Sequence, residues 1–224
     1  MILKAEAISK RYFRKTGEAN FFEAVKPLTL EMESGSLSVL VGRSGSGKTT
    51  LLHMLSGILN PTSGKVFLDG TDLYCLSDRE LSRLRNEKIA VIPQGRSAIE
   101  TLTVLENILL PSVLYQKRNC GEQALQWMDT LGIAHLADAK PSECSGGELR
   151  RMAIARALTA GTALIFADEP TGDLDDENTV AVLRLFRKVA DEGKLVFLVT
   201  HETDALQYAD TAWRMDSGTL RLYE

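Results

Sequence analysis

The densest chemistry in the chain lies in one octapeptide, Gly42-Arg-Ser-Gly-Ser-Gly47-Lys48-Thr49. It fits the pattern G-x-x-x-x-G-K-[ST], follows an apolar run at Leu37–Val41 and precedes a helical run over 50–55. Each residue type has a physical reason. Glycines allow backbone N–H groups to wrap a phosphate without Cβ clashes, and the following helix N-terminus adds a favourable dipole. Lys48 is a compact charge that can reach β- and γ-phosphates, and the Thr49 hydroxyl can ligate Mg²⁺. By chance such a string would turn up in about one chain in a hundred of this length. The strand–loop–helix context lowers that further.

A second cluster points the same way. The run over 163–167 is a buried type of strand that ends in Asp168-Glu169. Carboxylates at the C-terminal end of a parallel strand stand where open α/β sheets bind ligands. Asp168 is placed to hold a metal through water. Glu169, one residue on, is placed to orient and deprotonate a water that attacks a γ-phosphate.

The elements around these residues read as a parallel sheet with additions. Continuous Val/Ile/Leu runs at Leu37–Val41, Ile89–Ile92, 163–167 and Leu195–Thr200 alternate with helical patterns, as in a sheet covered on both faces. The N-terminal runs 2–8, 28–32 and 66–68 alternate polar and apolar, with turn signals at Thr16-Gly17, Pro61-Thr62-Ser63-Gly64 and Asp69-Gly70. They predict an antiparallel piece. Residues 103–159 are helical in pattern, with Ala124, Met128 and Leu131 on one face and Leu149, Met152, Ala153 and Ala157 on another. The fold class expected is α/β, a helical insertion interrupting the parallel sheet. A helix over 176–190 stops before Gly193.

Composition narrows the function classes. The chain has 224 residues, 26 Lys+Arg against 30 Asp+Glu, and a net charge of −4, which argues against a dedicated nucleic-acid binder. Its longest apolar runs are strand-sized, far below the ~20 residues of a membrane helix, so no direct membrane insertion is expected. Cys75, Cys120 and Cys144 have no metal-ligand spacing, and without a secretory signal they read as reduced thiols in the cytoplasm.

Taken in order, the motifs resemble the nucleotide-binding subunit of ATP-binding-cassette (ABC) transporters, over essentially the whole chain. Ser145-Gly-Gly-Glu148 and the following 149–157 look like the signature motif and its helix. Gln94 sits where the family's glutamine loop follows a strand, Asp168-Glu169 match the second nucleotide motif, and Gly172-Asp-Leu-Asp175 look like the loop that crosses to the other subunit. His201 is similar to the switch histidine, and Tyr12 stands where the family stacks an aromatic ring on adenine; Phe13, Phe21 or Phe22 are alternatives. His53 and His135 are given no role. Two stretches, 102–111 and 167–175, look most like the group of lipoprotein-release, macrolide-export and cell-division ATPases.

The resemblance implies one P-loop cassette over residues 1–224. Its nucleotide-binding core would comprise 1–95 and 160–224, with an antiparallel β part, and its helical subdomain 96–159. The cofactors implied are ATP and Mg²⁺. ATP contacts fall to Tyr12, Gly42, Ser44, Gly45, Ser46, Gly47, Lys48, Thr49 and Thr50 of one copy, and to Ser145, Gly146, Gly147 and Asp175 of another. The metal falls to Thr49, Gln94 and Asp168, and catalysis to Glu169, His201 and Gln94. The partners implied are a second copy, closing around two ATP, and a separate membrane permease that holds the chain on the inner face of the cell membrane. An ATP-dependent regulatory or scaffold module with little turnover is the alternative. Three features depart from the family: Cys144 in place of leucine, Leu149 in place of a polar residue, and a polar 95–100 stretch, where Arg96 and Glu100 are expected to meet the membrane partner. The basic, aromatic run over 10–15 has nucleic-acid contact as a competing reading.

Overall fold

The structure is a computed structural model that describes residues 1–13, 21–116 and 119–223. The turn expected at Thr16-Gly17, and Arg14 and Lys15 of the basic run, lie outside the described residues. Ten strands and six α-helices are present among the described residues. They are β1 (Ile2–Phe13), β2 (Phe21–Glu33), β3 (Leu37–Val41), α1 (Lys48–Leu55), β4 (Ser63–Leu68), β5 (Thr71–Asp72), α2 (Asp78–Lys88) and β6 (Ile89–Ile92). There follow α3 (Val104–Pro111), α4 (Gly121–Thr130), α5 (Gly146–Thr159), β7 (Leu164–Asp168), α6 (Asp176–Asp191), β8 (Leu195–Thr200), β9 (Thr211–Asp216) and β10 (Thr219–Leu222).

The strands form two sheets. One is antiparallel, in the order β2-β1-β4-β5; the other runs β10-β9-β3-β8-β7-β6 and is parallel from β9 to β6. Side chains alternate across the parallel sheet, as a period of two requires. Val39, Ile165, Val196 and Leu198 enter the core shared with α3 to α6, whereas Leu40, Phe166, Phe197 and Val199 face α1 and the antiparallel sheet. Both faces are thus covered, which explains the unbroken apolar runs. All five residues of β3 and all six of β8 are buried.

The helical segment stands where the sequence places it, between β6 and β7. Ala124, Met128 and Leu131 are buried on one side, and Leu149, Met152, Ala153 and Ala157 on α5 meet them in a single core. Several local readings change. The strand expected over 163–167 is shifted by one, and Asp168 is its last residue. The expected turn at Pro61–Gly64 gives way to β4 at Ser63. There Gly64 has φ of +84° and lies against Ala7, itself at φ +48°; a Cβ on Gly64 would sit 2.4 Å from the Ala7 carbonyl oxygen. The two residues form a bulge where the β1–β4 register shifts. The charged helix α2 and the hairpin β9–β10 carry weak sequence patterns and come to light only here.

Phe197 is fully buried, with ring centroids of Phe166 at 5.9 Å and Trp213 at 6.2 Å. Phe197→Ala is expected to destabilise the fold by about 3–5 kcal/mol, read as a lower urea midpoint with an unchanged slope.

Candidate nucleotide-binding site

The carboxyl edge of the parallel sheet collects the reactive groups. β3 delivers the loop 42–47, β7 delivers Asp168, β8 delivers Thr200 and His201, and β6 delivers Gln94. α1 starts on a glycine because of space and φ: Gly47 is its N-cap at φ +110°, and a Cβ there would lie 2.2 Å from the Ala24 carbonyl oxygen. No other residue type fits both conditions. Gly42 is similarly confined, 2.4 Å from the Met215 carbonyl oxygen by the same measure.

Lys48 is 7% exposed and folds back over its own loop. Its ammonium donates to the carbonyls of Gly42 (2.7 Å) and Arg43 (3.2 Å) and lies 3.9 Å from Glu169 Oε1. Glu169 takes a left-handed backbone, φ +49°, a strained conformation for a residue with a side chain. Its N–H donates to the Val199 carbonyl at 2.8 Å. Its Oε2 is 2.8 Å from His201 Nδ1, and accepts at 3.3 Å from both the His201 N–H and the Thr200 hydroxyl. The carboxylate therefore points at the phosphate loop, while the more exposed histidine holds it from the solvent side.

Asp168 is 1% exposed, and neither of its oxygens makes a hydrogen bond of ordinary geometry among the described residues. Burial pushes its carboxyl above the usual range; Glu169 adds to that shift, while Thr49, His53 and Lys48 oppose it. Ser46 Oγ is also buried without a partner.

A cleft of about 680 Å³ is lined by Tyr12, Phe22, Ala24, Arg43, Ser44, Gly45, Gly47, Lys48, Thr49, Thr50, Gln94, Glu169 and His201. Gly42, Ser46 and Asp168 lie outside its lining. At its mouth Tyr12 pairs with Phe22 across β1 and β2, with Lys10 Nζ 5.5 Å from the Tyr12 ring centre. Phe13 and Phe21 stack edge-on with each other instead and do not line the cleft. Of the four aromatics, Tyr12 and Phe22 line the cleft.

Ser145, Gly146, Gly147 and Asp175 do not reach this cleft. They line a second one, of about 710 Å³, with Gly95, Arg96, Arg150, Arg151, Asp173 and Asn178 among its walls. No residue lines both clefts. Ser145 caps α5 in a reciprocal box: its N–H and hydroxyl both reach Glu148 Oε2, at 2.7 and 2.8 Å, and its Oγ accepts from the Glu148 N–H at 3.3 Å. Gly147 has its own reason, since a Cβ there would lie 3.1 Å from the Asp173 carbonyl oxygen. Asp175 caps α6 and accepts from the Asn178 N–H and side-chain amide.

Sequence reasoning missed Thr200, Arg43 and Arg150 at these sites, and held Phe22 only as an alternative to Tyr12. Thr200 and Arg150 do leave a signal: each is a polar residue in a buried position, one closing an apolar strand and the other among the core residues of α5.

Residues 25–172 match the ABC transporter family. The chain belongs to that family. As an ABC cassette it is an ATP-binding, ATP-hydrolysing protein. It is 38% identical over 219 residues to the lipoprotein-releasing system ATP-binding protein LolD of Aquifex aeolicus (strain VF5), covering 97% of this chain and 95% of that protein. It is 35% identical over 214 residues to the macrolide export ATP-binding/permease protein MacB of Chlorobaculum tepidum, covering 95% of the cassette but 32% of MacB. The ATP-binding cassette MJ0796, in a dimeric post-hydrolysis structure bound to ADP and Pi, superposes with a TM-score of 0.91 at 31% identity over 99% of each chain. The expected α/β P-loop cassette, with its antiparallel β part and helical insertion, is the fold found.

The box at Ser145 makes the start of α5 pH-dependent. Hydrogen bonds from the Ser145 N–H and hydroxyl hold the Glu148 carboxyl below its ordinary value. The folded pKa is depressed, so this stabilisation is complete above the ordinary carboxylate value (~4.3) and lost as pH falls through the depressed one. Amide protection factors over 145–148, taken relative to intrinsic exchange at each pH, are expected to fall in that acid window before global unfolding, and Ser145→Ala is expected to cost about 1 kcal/mol.

Proposed function

We propose that two copies of this cassette close around two ATP, each copy lending one cleft to each nucleotide, and that this closure drives a separate membrane permease. One observation carries the reading. The phosphate loop and the Ser145 helix N-terminus, both suited to anionic phosphate, open into clefts with no wall in common. A single chain has two half-sites and no whole one. The dimeric relative MJ0796 supports the same arrangement.

In this arrangement the loop 42–47, Lys48, Thr49 and Thr50 hold the phosphates, with Tyr12 or Phe22 stacked on adenine. Ser145, Gly146, Gly147 and Asp175 approach from the second copy. The metal site fits a hard cation. Asp168 offers two buried oxygens without hydrogen-bond partners beside the Thr49 side chain, and such an orphaned carboxylate is a suitable ligand. Thr49, Asp168 and Gln94 would hold Mg²⁺, and a bound Mg²⁺ supplies charge neutralisation at the phosphate oxygens. Glu169 takes the proton of the attacking water. His201 and Thr200 hold that carboxylate in aim, and its left-handed backbone turns it toward Lys48 rather than along the strand. Lys48 exchanges its two carbonyl partners for phosphate oxygens.

The similarity to LolD and MacB supports a role in a lipoprotein-release or macrolide-export type of system, at the cytoplasmic face of the membrane. Among the described residues no helix is long and apolar enough to cross a membrane. Anchorage through the permease meets that need. Residues 96–159 are the unit that moves against the core of 1–95 and 160–224, and Arg96 and Glu100 contact the permease.

Glu169→Gln is expected to retain ATP binding and pairing but lose about 10²–10⁴-fold in hydrolysis, measured by phosphate release; full turnover would remove Glu169 as the base. Alanine at the stacking aromatic is expected to cost roughly 1–3 kcal/mol of ATP affinity. Comparing Tyr12→Ala with Phe22→Ala by titration calorimetry identifies which ring it is. Lys48→Ala is expected to abolish measurable nucleotide affinity, and unimpaired binding would exclude its phosphate role.

A further inference from the structure

Arg150 carries a full charge at a position 6% exposed, surrounded on its own helix by the core residues Leu149, Met152, Ala153 and Ile154. It neither caps α5 nor lines the phosphate cleft. Its two terminal nitrogens serve different segments. One donates at 2.9 Å to the carbonyl of Pro93, the residue before Gln94 in the phosphate cleft. The other lies 3.8 Å from Asp173 Oδ2, on the loop that walls the second cleft, and a Cβ on Gly172 would sit 3.9 Å from it. Six residues on, Arg156 donates to the Ser97 carbonyl at 2.9 Å, fixing the far side of the same loop. A guanidinium is a rigid planar fork, so it holds two partners in one geometry where a flexible ammonium does not. A buried charge is retained at a cost unless its partners satisfy it.

Resting on the two-copy reading above, we propose that Arg150 is a positioning residue that ties the Gln94 loop to the Asp173 loop within one chain and so couples the two ATP sites. The geometry of a sandwich makes this follow. Gln94 of one copy stands in one nucleotide site, while Ser145 and Asp173 of the same copy stand in the other. A rigid link inside a chain is therefore a link between sites. Filling the first site fixes Gln94, and through Arg150 it fixes the surface offered to the second ATP. A coupling in the usual range makes the second ATP bind roughly 5–150-fold more tightly than the first.

The test is steady-state ATPase of the full chain against ATP concentration, with ADP affinity measured separately because ADP reports on the phosphate cleft of a single copy. The parent is expected to give a sigmoidal curve with a Hill coefficient approaching ~2, the number of sites. Arg150→Met and Asp173→Asn are each expected to lower it toward ~1 while ADP affinity stays within about twofold. The double variant is expected to fall no further than either single one. Arg150→Lys keeps the charge without the fork and is expected to behave as Arg150→Met does. Should Arg150→Met fail to fold, Asp173→Asn carries the test alone, since that side chain is 70% exposed. A parent-like Hill coefficient in Asp173→Asn, or a parent curve without sigmoidicity, overturns the tie. A parent that hydrolyses ATP but never pairs overturns the two-copy reading itself, and a parent that pairs while the variants keep its curve overturns only Arg150.

Discussion

The molecule depends on holding an ammonium and two carboxylates at one sheet edge with little water between them. Lys48 is caged by carbonyls of its own loop, Asp168 is buried with no hydrogen bond of ordinary geometry among the described residues, and Glu169 is turned inward by a strained backbone. Charges in such surroundings interact more strongly than in water, and each one alone is costly. The sheet makes the arrangement possible. Four parallel strands end side by side, so groups far apart in sequence meet without any long loop having to fold precisely. The unbroken apolar faces of β3, β7 and β8 anchor that edge from both sides, and the fully buried Phe197 cluster stiffens it from beneath.

Incompleteness is the second organising fact. The helical segment carries its own anion-suited helix start, but it presents that start to a cleft separate from the phosphate loop. The two clefts share no lining residue among the described residues. On the two-copy reading proposed above, the chemistry is conditional on assembly. In the single chain the Glu169 carboxylate is held by His201 at 2.8 Å.

Much of this was legible from residue order. The glycine loop 42–47, Asp168-Glu169 and the Ser145 box stand out because backbone geometry constrains their residue types: glycines where a Cβ would strike a carbonyl, a cap where a helix must begin. The parallel strands were legible because burial on both faces leaves few polar positions, Ser38 within β3 and Asp168 and Thr200 at strand ends. What escaped the sequence depends on packing between distant segments. The hairpin β9–β10 alternates too briefly to stand out, yet Met215 on β9 is what confines Gly42. The choice of Tyr12 and Phe22 over Phe13 and Phe21 rests on strand register, which alternation within a single run does not give. Asp175 read as a crossing residue is also a plain helix cap, and nothing in its spacing separates those duties.

The positive φ at Glu169 has a consequence for how such a protein can change over time. That position would be more comfortable as glycine or asparagine, because side-chain-bearing residues resist the left-handed region. With the role proposed for Glu169, stability and turnover pull this residue in opposite directions. A lineage, or a laboratory library, sorted for heat resistance alone would drift away from the acid here and arrive at a sturdier cassette that grips its nucleotide without consuming it.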